Sequence, residues 1–366
     1  MAVLKELRLS HPESEIRFWC DTKFATQAEA LLEHFDPNLR VDRIISGKLR
    51  RYHHLSVLRQ LVWPRLVLLN IRDSFLVGIG FLQSLIKLTI WRPNVVFTKG
   101  GYVCLPVGLA AKFLRIPLVI HDSDAHPGLT NRILSKWATM IATGAPLEYY
   151  DYPKKRSRYI GIPVSSEFHT FSAKEQQEAK TQWGINPNRP LVVVTGGGLG
   201  AQRINNVIVG SLDDLLELGS VVLVAGSAQY DELRALTPAN SDTFQLHPFI
   251  SEGMATLLGA ADVVVTRAGA TTILELAALE KPTILIPNGK LTGGHQLKNA
   301  QVYLDANAVI SVNEDAMIEK PDVLANAIAS VVNGSDLSSE ISKNLAKFAR
   351  PRAARDMADM IIDAAR

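Results

Sequence analysis

The run VVVTGGGLGAQRINN, Val192–Asn206, decides the fold. A β-branched stretch, three glycines and a helix-like segment are how a strand hands a phosphate to a helix N-terminus, whose free amides and positive dipole end meet the anion. Dinucleotide-binding chains carry such a turn near their start, whereas here it lies past the middle of 366 residues. In that position it opens a second doubly wound domain.

The flanking sequence repeats the same pattern. Downstream, short apolar runs at Leu191–Thr195, Val221–Ala225, Thr243–Leu246, Asp262–Thr266, Thr283–Ile286 and Val309–Val312 read as strands, each followed by a helix or helical turn. Upstream, strands are expected near Ile16–Trp19, Val95–Thr98, Leu118–His121 and Met140–Ala142, with helices at Leu105–Leu114 and Leu129–Trp137 between them. RYIGIPVSSEF, Arg158–Phe168, reads as a last strand running into a linker, because Pro163 ends regular structure. Two parallel-sheet α/β domains follow.

Composition agrees with two cores. The chain is 47% hydrophobic and 20% charged, too apolar for disorder and long enough for two domains. Cys20 and Cys104 lack the spacing of a zinc site or a disulfide framework, which fits a reducing cytosol. The opening MAVLKELRLSHPESEIRFWC shows no apolar core followed by a small-residue cleavage site, so no secretory signal is expected. A net charge of +3 is too mild to imply nucleic acid.

That charge is unevenly placed. Between Gly47 and Arg92, the residues Lys48, Arg50, Arg51, Arg59, Arg65, Arg72, Lys87 and Arg92 face a single acid, Asp73, in a stretch rich in Leu, Ile, Trp and Phe. Its longest uncharged run, Ser74–Ile86, is shorter than the ~20 residues a spanning helix needs. Two readings stand: an interfacial patch on an anionic membrane surface through residues 47–92, or a pair of ordinary core-facing helices with solvated arginines.

Ligands of such sheets bind beyond the carboxyl ends of the strands. Four loops hold that place: TKGGYVCLP (Thr98–Pro106), IHDSDAHPGLTNR (Ile120–Arg132), TGGGLGAQ (Thr195–Gln202) and TRAGATTILELAAL (Thr266–Leu279). In the last, Gly269 lets backbone amides point outward at a helix start, as a diphosphate requires. Glu275, one turn or so further and flanked by apolar positions, is placed to accept ribose hydroxyls. GKLTGGHQLKNA (Gly289–Ala300) puts His295, Gln296 and Asn299 at another helix start, where amides and imidazoles can read sugar hydroxyls.

Taken in order, KGGYVCLPVGLAAKFLRIPLVIHDSDAHPGLTNRIL, GGGLGAQRINN, HPFISEGMATLLGAADVVVTRAGATTILELAAL and GGHQLKNA resemble the MurG family of peptidoglycan N-acetylglucosaminyltransferases, and the likeness runs from Ala2 to the C-terminus. The resemblance implies a GT-B fold: two Rossmann-like domains facing a cleft, residues 1–163 on the acceptor and membrane side and residues 164–349 binding the donor. A C-terminal helix of about 350–366 is then expected to pack back on the first domain. The implied reaction is inverting transfer of GlcNAc from UDP-GlcNAc to the C4 hydroxyl of the lipid-linked muramyl-pentapeptide, at the cytoplasmic face of the membrane, with no cofactor or catalytic metal. Cell-wall synthesis proteins are implied as further partners.

Residue by residue, Ile250 is implied to read uracil through its backbone. Gly269, Ala270, Thr271, Thr272 and Glu275 form the diphosphate-and-ribose turn, with Gly197 and Gly198 beside it, and Gln296 holds GlcNAc hydroxyls. Asp124 stands where the family usually has asparagine, Gly198 where it has serine, and Ser165 where it has arginine. The last departure removes a phosphate-pairing cation, which leaves Arg267, Lys290 and Arg203 as replacements. Gly100, Gly101, Tyr102 and His126 are implied on the acceptor side, and His121 and Asp122 are candidates for proton handling. Asp122-Ser123-Asp124 also spells the acidic pair that binds a metal in a single-domain glycosyltransferase architecture, a reading the flanking VIH and HPGLTNR argue against.

Two rival functions stay open: a nucleotide-sugar-binding relative that no longer turns over, and a GT-B transferase for another lipid. A further expectation concerns the start. AVLKEL matches the family's helix that follows a first strand and a glycine loop bearing the presumed histidine base. The natural protein is therefore expected to begin upstream of Met1, and the 366-residue chain to bind donor through its C-terminal domain but transfer GlcNAc poorly or not at all.

Overall fold

Strands form where short β-branched runs are bounded by turns, and helices where the apolar period lengthens. The computed structural model describes residues 1–33, 35–49, 62–197, 201–289 and 294–366. Its chain divides into two units, Met1–Pro163 with Arg352–Arg366, and Val164–Pro351.

The first unit contains, in order, α1 (Ala2–Ser10), β1 (Arg17–Cys20), α2 (Thr22–Glu33), β2 (Arg40–Arg43), α3 (Pro64–Trp91), β3 (Val96–Thr98), α4 (Cys104–Phe113), β4 (Leu118–Asp122), α5 (Leu129–Leu134), β5 (Met140–Thr143) and β6 (Ser157–Tyr159). Strands β3-β4-β5-β6 form one parallel sheet, and β1 pairs with β2 in a separate parallel ladder. Side chains nevertheless bridge the two ladders: Trp19 of β1 packs in the cluster that holds Val96 of β3, and Ile16 in the one that holds Phe97.

The second unit contains α6 (Ala173–Gln182), β7 (Leu191–Thr195), α7 (Gln202–Gly210), α8 (Leu212–Leu218), β8 (Ser220–Val224), α9 (Tyr230–Arg234), β9 (Phe244–His247), α10 (Met254–Ala260), β10 (Val263–Thr266), α11 (Ala270–Ala278), β11 (Thr283–Leu285), α12 (His295–Asp305), β12 (Ile310–Ser311), α13 (Glu314–Glu319), α14 (Asp322–Asn333) and α15 (Ser335–Ala346). Its sheet is parallel throughout, in the order β12-β11-β10-β7-β8-β9. Val192, Val193, Val194, Val263, Val264 and Val265 are fully buried, as expected of central strands covered on both faces; each such side chain stabilises the fold by ~1.5–3 kcal/mol. The last helix, α16 (Ala353–Ala365), belongs to the first unit, where Met357, Met360 and Ile361 pack with Val119, Ala142 and Leu7.

The basic apolar segment is described only in part. From residue 62 onward it is one helix, starting with Pro64 in the first turn and ending at Arg92 in the left-handed region (φ 49°). Arg50, Arg51 and Arg59 lie outside the described residues. The uncharged run understated the helix, because Arg65, Arg72, Asp73 and Lys87 are carried within it. At 28 residues it is long and apolar enough, by length and composition, to cross a membrane. Leu66, Asp73, Gly80, Ser84 and Leu88 make the buried face. Gly80 is required there, since a Cβ would lie 1.9 Å from the Ile45 carbonyl oxygen. Leu68, Ile71, Phe75, Leu82, Ile86 and Ile90 recur three, four or seven residues apart on the exposed face.

Candidate active site

Strands β7 and β10 are neighbours in the sheet, with Thr195 in register with Thr266. From β7 the chain winds outward to β8 and β9; from β10 it winds the other way to β11 and β12. Their exits therefore border the topological switch point, where an α/β sheet opens a crevice. The two loops the sequence singled out leave from that point. On one side Thr195 Oγ1 accepts a hydrogen bond from the Gly197 amide at 3.2 Å, and Gly197 sits at φ 77°. Gly198, like Lys290, lies outside the described residues.

On the other side Arg267–Gly269 turns tightly, the Gly269 amide donating to the Arg267 carbonyl at 2.8 Å, and α11 begins. No side chain caps α11 at Gly269. Among the described residues its first amides meet no side-chain cap, with Ala270 and Thr272 half-buried and Thr271 exposed. Ile273, Leu274, Leu276 and Ala277 anchor the helix body in the core. Glu275 is half-buried beside them, and burial pushes its carboxyl above the usual carboxylate range.

Further exits on the same sheet edge carry the remaining predicted residues. Ile250 is buried in the loop after β9. Gln296 lies in the first turn of α12, and its Oε1 accepts from the Asn288 amide at 2.8 Å, which fixes the side chain to the loop after β11. Asn299, expected to read sugar, is instead buried, and its Nδ2 donates to the Ala268 carbonyl at 3.1 Å. It braces the β10 exit, because a buried amide finds backbone partners before it finds solvent-borne ones.

Of the cations weighed as replacements for the family's arginine, Arg267 is buried and committed: it donates to the Ile286 carbonyl at 3.0 Å and to Glu314. Arg203, in the first turn of α7, pairs loosely with Glu314 at 3.4 Å and Asp315 at 3.5 Å. Ser165 is exposed in a turn whose carbonyl accepts the Phe168 amide at 3.1 Å.

In the first unit the exits of β1, β3 and β4 are tied together. Gly100 (φ 80°) and Gly101 (φ 88°) follow β3, and a Cβ on Gly100 would lie 2.9 Å from Asn131 Nδ2. Asn131 in turn donates to the His121 carbonyl at 2.9 Å. The Tyr102 hydroxyl donates to Asp21 at 2.8 Å, and burial with this partner pushes the phenol up to about 12. That hydroxyl is occupied, whereas Gly101 faces open space. The Asp124 carbonyl accepts the Tyr150 hydroxyl at 2.7 Å, and His126 is half-buried in the same loop.

The two proton-handling candidates differ sharply. His121 is fully buried, with Nε2 at 2.9 Å from the Gly161 carbonyl and Nδ1 at 3.4 Å from the Ser123 hydroxyl. Burial holds its pKa down at about 4, so it is a neutral structural donor to Gly161. Asp122 is also buried, and desolvation raises its pKa to about 6 against hydrogen bonds from Tyr152, Asn131 and the Gly128 amide. A carboxyl near neutrality can take a proton at working pH. Sequence reading missed Asp21, Tyr152, Asn131 and Glu314; only Asn131, inside GLTNR, stood in a quoted motif. Among the described residues no group of three His, Cys, Asp or Glu side chains is placed to hold a metal ion.

Two parallel-sheet α/β units, one of them with a helix start at its switch point that no side chain caps, are the architecture of two-domain glycosyltransferases. The glycosyltransferase family 28 C-terminal domain matches residues 191–357 and the family 28 N-terminal domain residues 32–143. The UDP-N-acetylglucosamine–N-acetylmuramyl-(pentapeptide) pyrophosphoryl-undecaprenol N-acetylglucosamine transferase of an Exiguobacterium species is 31% identical over 89% of this chain and 89% of its own. That of Treponema denticola is 33% identical over 87% and 80%. The crystal structure of Acinetobacter baumannii MurG superposes with a TM-score of 0.73 at 25% identity, covering 99% of this chain and 94% of that one. The chain belongs to this family of N-acetylglucosamine transferases.

Proposed function

We propose that the chain transfers GlcNAc from UDP-GlcNAc to the C4 hydroxyl of the lipid-linked muramyl-pentapeptide, with inversion, in peptidoglycan synthesis. The observation that carries this reading is the pair of glycine-bearing exits at the β7/β10 switch point in a chain that matches the transferase family along most of its length. The diphosphate is taken by the amides of the first turn of α11, with Gly197 and Gly198 of the turn after β7 beside it. Glu275 accepts the ribose hydroxyls, the Ile250 backbone reads uracil, and Gln296, oriented by Asn288, offers its amide nitrogen to the sugar.

As the glycosidic bond to the diphosphate breaks, charge develops on UDP, and helix-start amides already aimed at it need no reorganisation. This arrangement supplies positive potential from the chain itself, which supports a reaction without a cofactor or catalytic metal. Asp122 is the better base of the two candidates, since His121 is sealed against Gly161. The exposed stripe of α3, with Arg65 and Arg72 also exposed, suits a peripheral attachment to an anionic cytoplasmic membrane surface. Release of UDP from UDP-GlcNAc that depends on a soluble lipid-linked acceptor tests the proposal. Donor binding without acceptor-dependent release would leave the non-catalytic relative, and release with a different lipid only would leave another transferase.

A further inference from the structure

Glu314 lies outside every loop discussed for the donor, yet it touches two of them. It is the first residue of α13, just beyond the exit of β12, and is 6% exposed. Its Oε1 accepts from Arg267 and its Oε2 from Arg203 at 3.4 Å. Arg267 immediately follows β10, three residues before the start of α11, and its other terminal nitrogen holds the Ile286 carbonyl just past β11. Arg203 is the second residue of α7, which follows the glycine turn after β7. One buried carboxylate thereby links, directly or through Arg267, the exits of β7, β10, β11 and β12.

The charges explain why this matters to a phosphate site. Arg267 is 9% exposed, and a buried guanidinium without a carboxylate would be driven toward water or toward any anion nearby. Glu314 neutralises it in place, so the Arg267–Gly269 turn keeps the geometry that aims the first amides of α11 outward. The body of α11 is held independently by Ile273, Leu274, Leu276 and Ala277. Loss of Glu314 therefore acts on the turn and the helix start, not on the helix.

We propose that Glu314 is a positioning residue for the donor diphosphate, acting through Arg267 and Arg203 on the helix starts after β10 and β7. The proposal rests on the donor-site reading given above. Its test is calorimetric titration of the full chain with UDP and, separately, with uridine, for wild type, Glu314→Ala, Glu314→Gln and, as a control at the exposed far end of the same helix, Glu319→Ala, each checked for a cooperative thermal transition. Glu314→Ala is expected to raise the Kd for UDP at least tenfold and that for uridine less than twofold. Glu314→Gln, which keeps shape and one acceptor, should fall between it and wild type, and Glu319→Ala should stay within twofold of wild type. In the transfer assay the loss should appear mainly in the KM for UDP-GlcNAc. Equal losses for UDP and uridine would show a merely structural residue and overturn the proposal, as would unchanged binding. Tighter UDP binding in Glu314→Gln would mean that the carboxylate acts only by opposing phosphate charge, and would overturn it too. A wild type that binds uridine but not UDP would overturn the donor-site reading itself, and this proposal with it.

Discussion

Glu275 gives the sharpest test of the donor site, because its two roles pull in opposite directions. In the folded chain burial raises its pKa, so the native state binds the carboxyl proton more tightly than the unfolded chain does. Stability is then full below the unfolded pKa and declines as pH rises through the folded one. At neutral pH the ionised carboxylate is a net cost to the native state. Glu275→Gln removes that cost and should raise the melting temperature slightly at pH 7.5. The same change should weaken UDP, since ribose hydroxyls that donated to a charged acceptor now meet a neutral one. A hydrogen bond to a charged group is worth ~1.5–3 kcal/mol, which corresponds to roughly 10- to 150-fold in Kd. UDP affinity of the wild type should also fall as pH drops through the raised pKa, because the proton and the ribose compete for the carboxylate. Calorimetry with UDP and thermal unfolding of the same samples read both effects. A folded variant that binds UDP as wild type does, or one that loses stability and affinity together, would refute the reasoning.

Asp122→Asn should lower kcat by about 10²-fold or more with little change in the KM for the donor, and the wild-type rate should fall below pH about 6 as the carboxylate is protonated, as a pH–rate profile would show. Replacing Phe75 and Ile86 on the exposed face of α3 by Glu should reduce sedimentation with anionic vesicles, and added salt should weaken the wild type; equal sedimentation at low salt would oppose the membrane reading. Gly100→Ala combines a left-handed backbone with a 2.9 Å approach to Asn131, so a loss of ~1–2 kcal/mol or more and a lower melting temperature are expected, and an unchanged transition would contradict it. Excess EDTA should leave UDP affinity unaltered if helix-start amides and protein cations carry the diphosphate; a marked loss would point to a required cation.

The doubly wound pattern was legible because a parallel strand covered on both faces announces itself as an unbroken β-branched run, as at Val192–Val194 and Val263–Val265. The loops at the exits were legible for the same reason, since each glycine cluster directly follows such a run. Glu314 was not, because its partners stand 47 and 111 residues away and no local period records such a pairing. Asn299 looked like a ligand-reading amide until its burial and its bond to Ala268 were visible. Tyr102 and Asp21, 81 residues apart, met only through the fold. The continuity of α3 was hidden by Asp73, whose charge interrupts an apolar run but whose burial against the first unit does not interrupt a helix.

The division of the first unit into two ladders has a consequence for how that unit ages in solution. Six strands in one sheet would end on two outer rims, whereas β1, β2, β3 and β6 each end one here, among the described residues. A rim is a row of amides that exchange with solvent and can pair with a foreign strand. Deuterium uptake along β1 and β3 should therefore outpace that along β4 and β5, which are paired on both sides. On long storage, oligomers seeded through β1 or β3 would be the expected form of loss, and a peptide in the extended conformation that pairs with either strand would slow it.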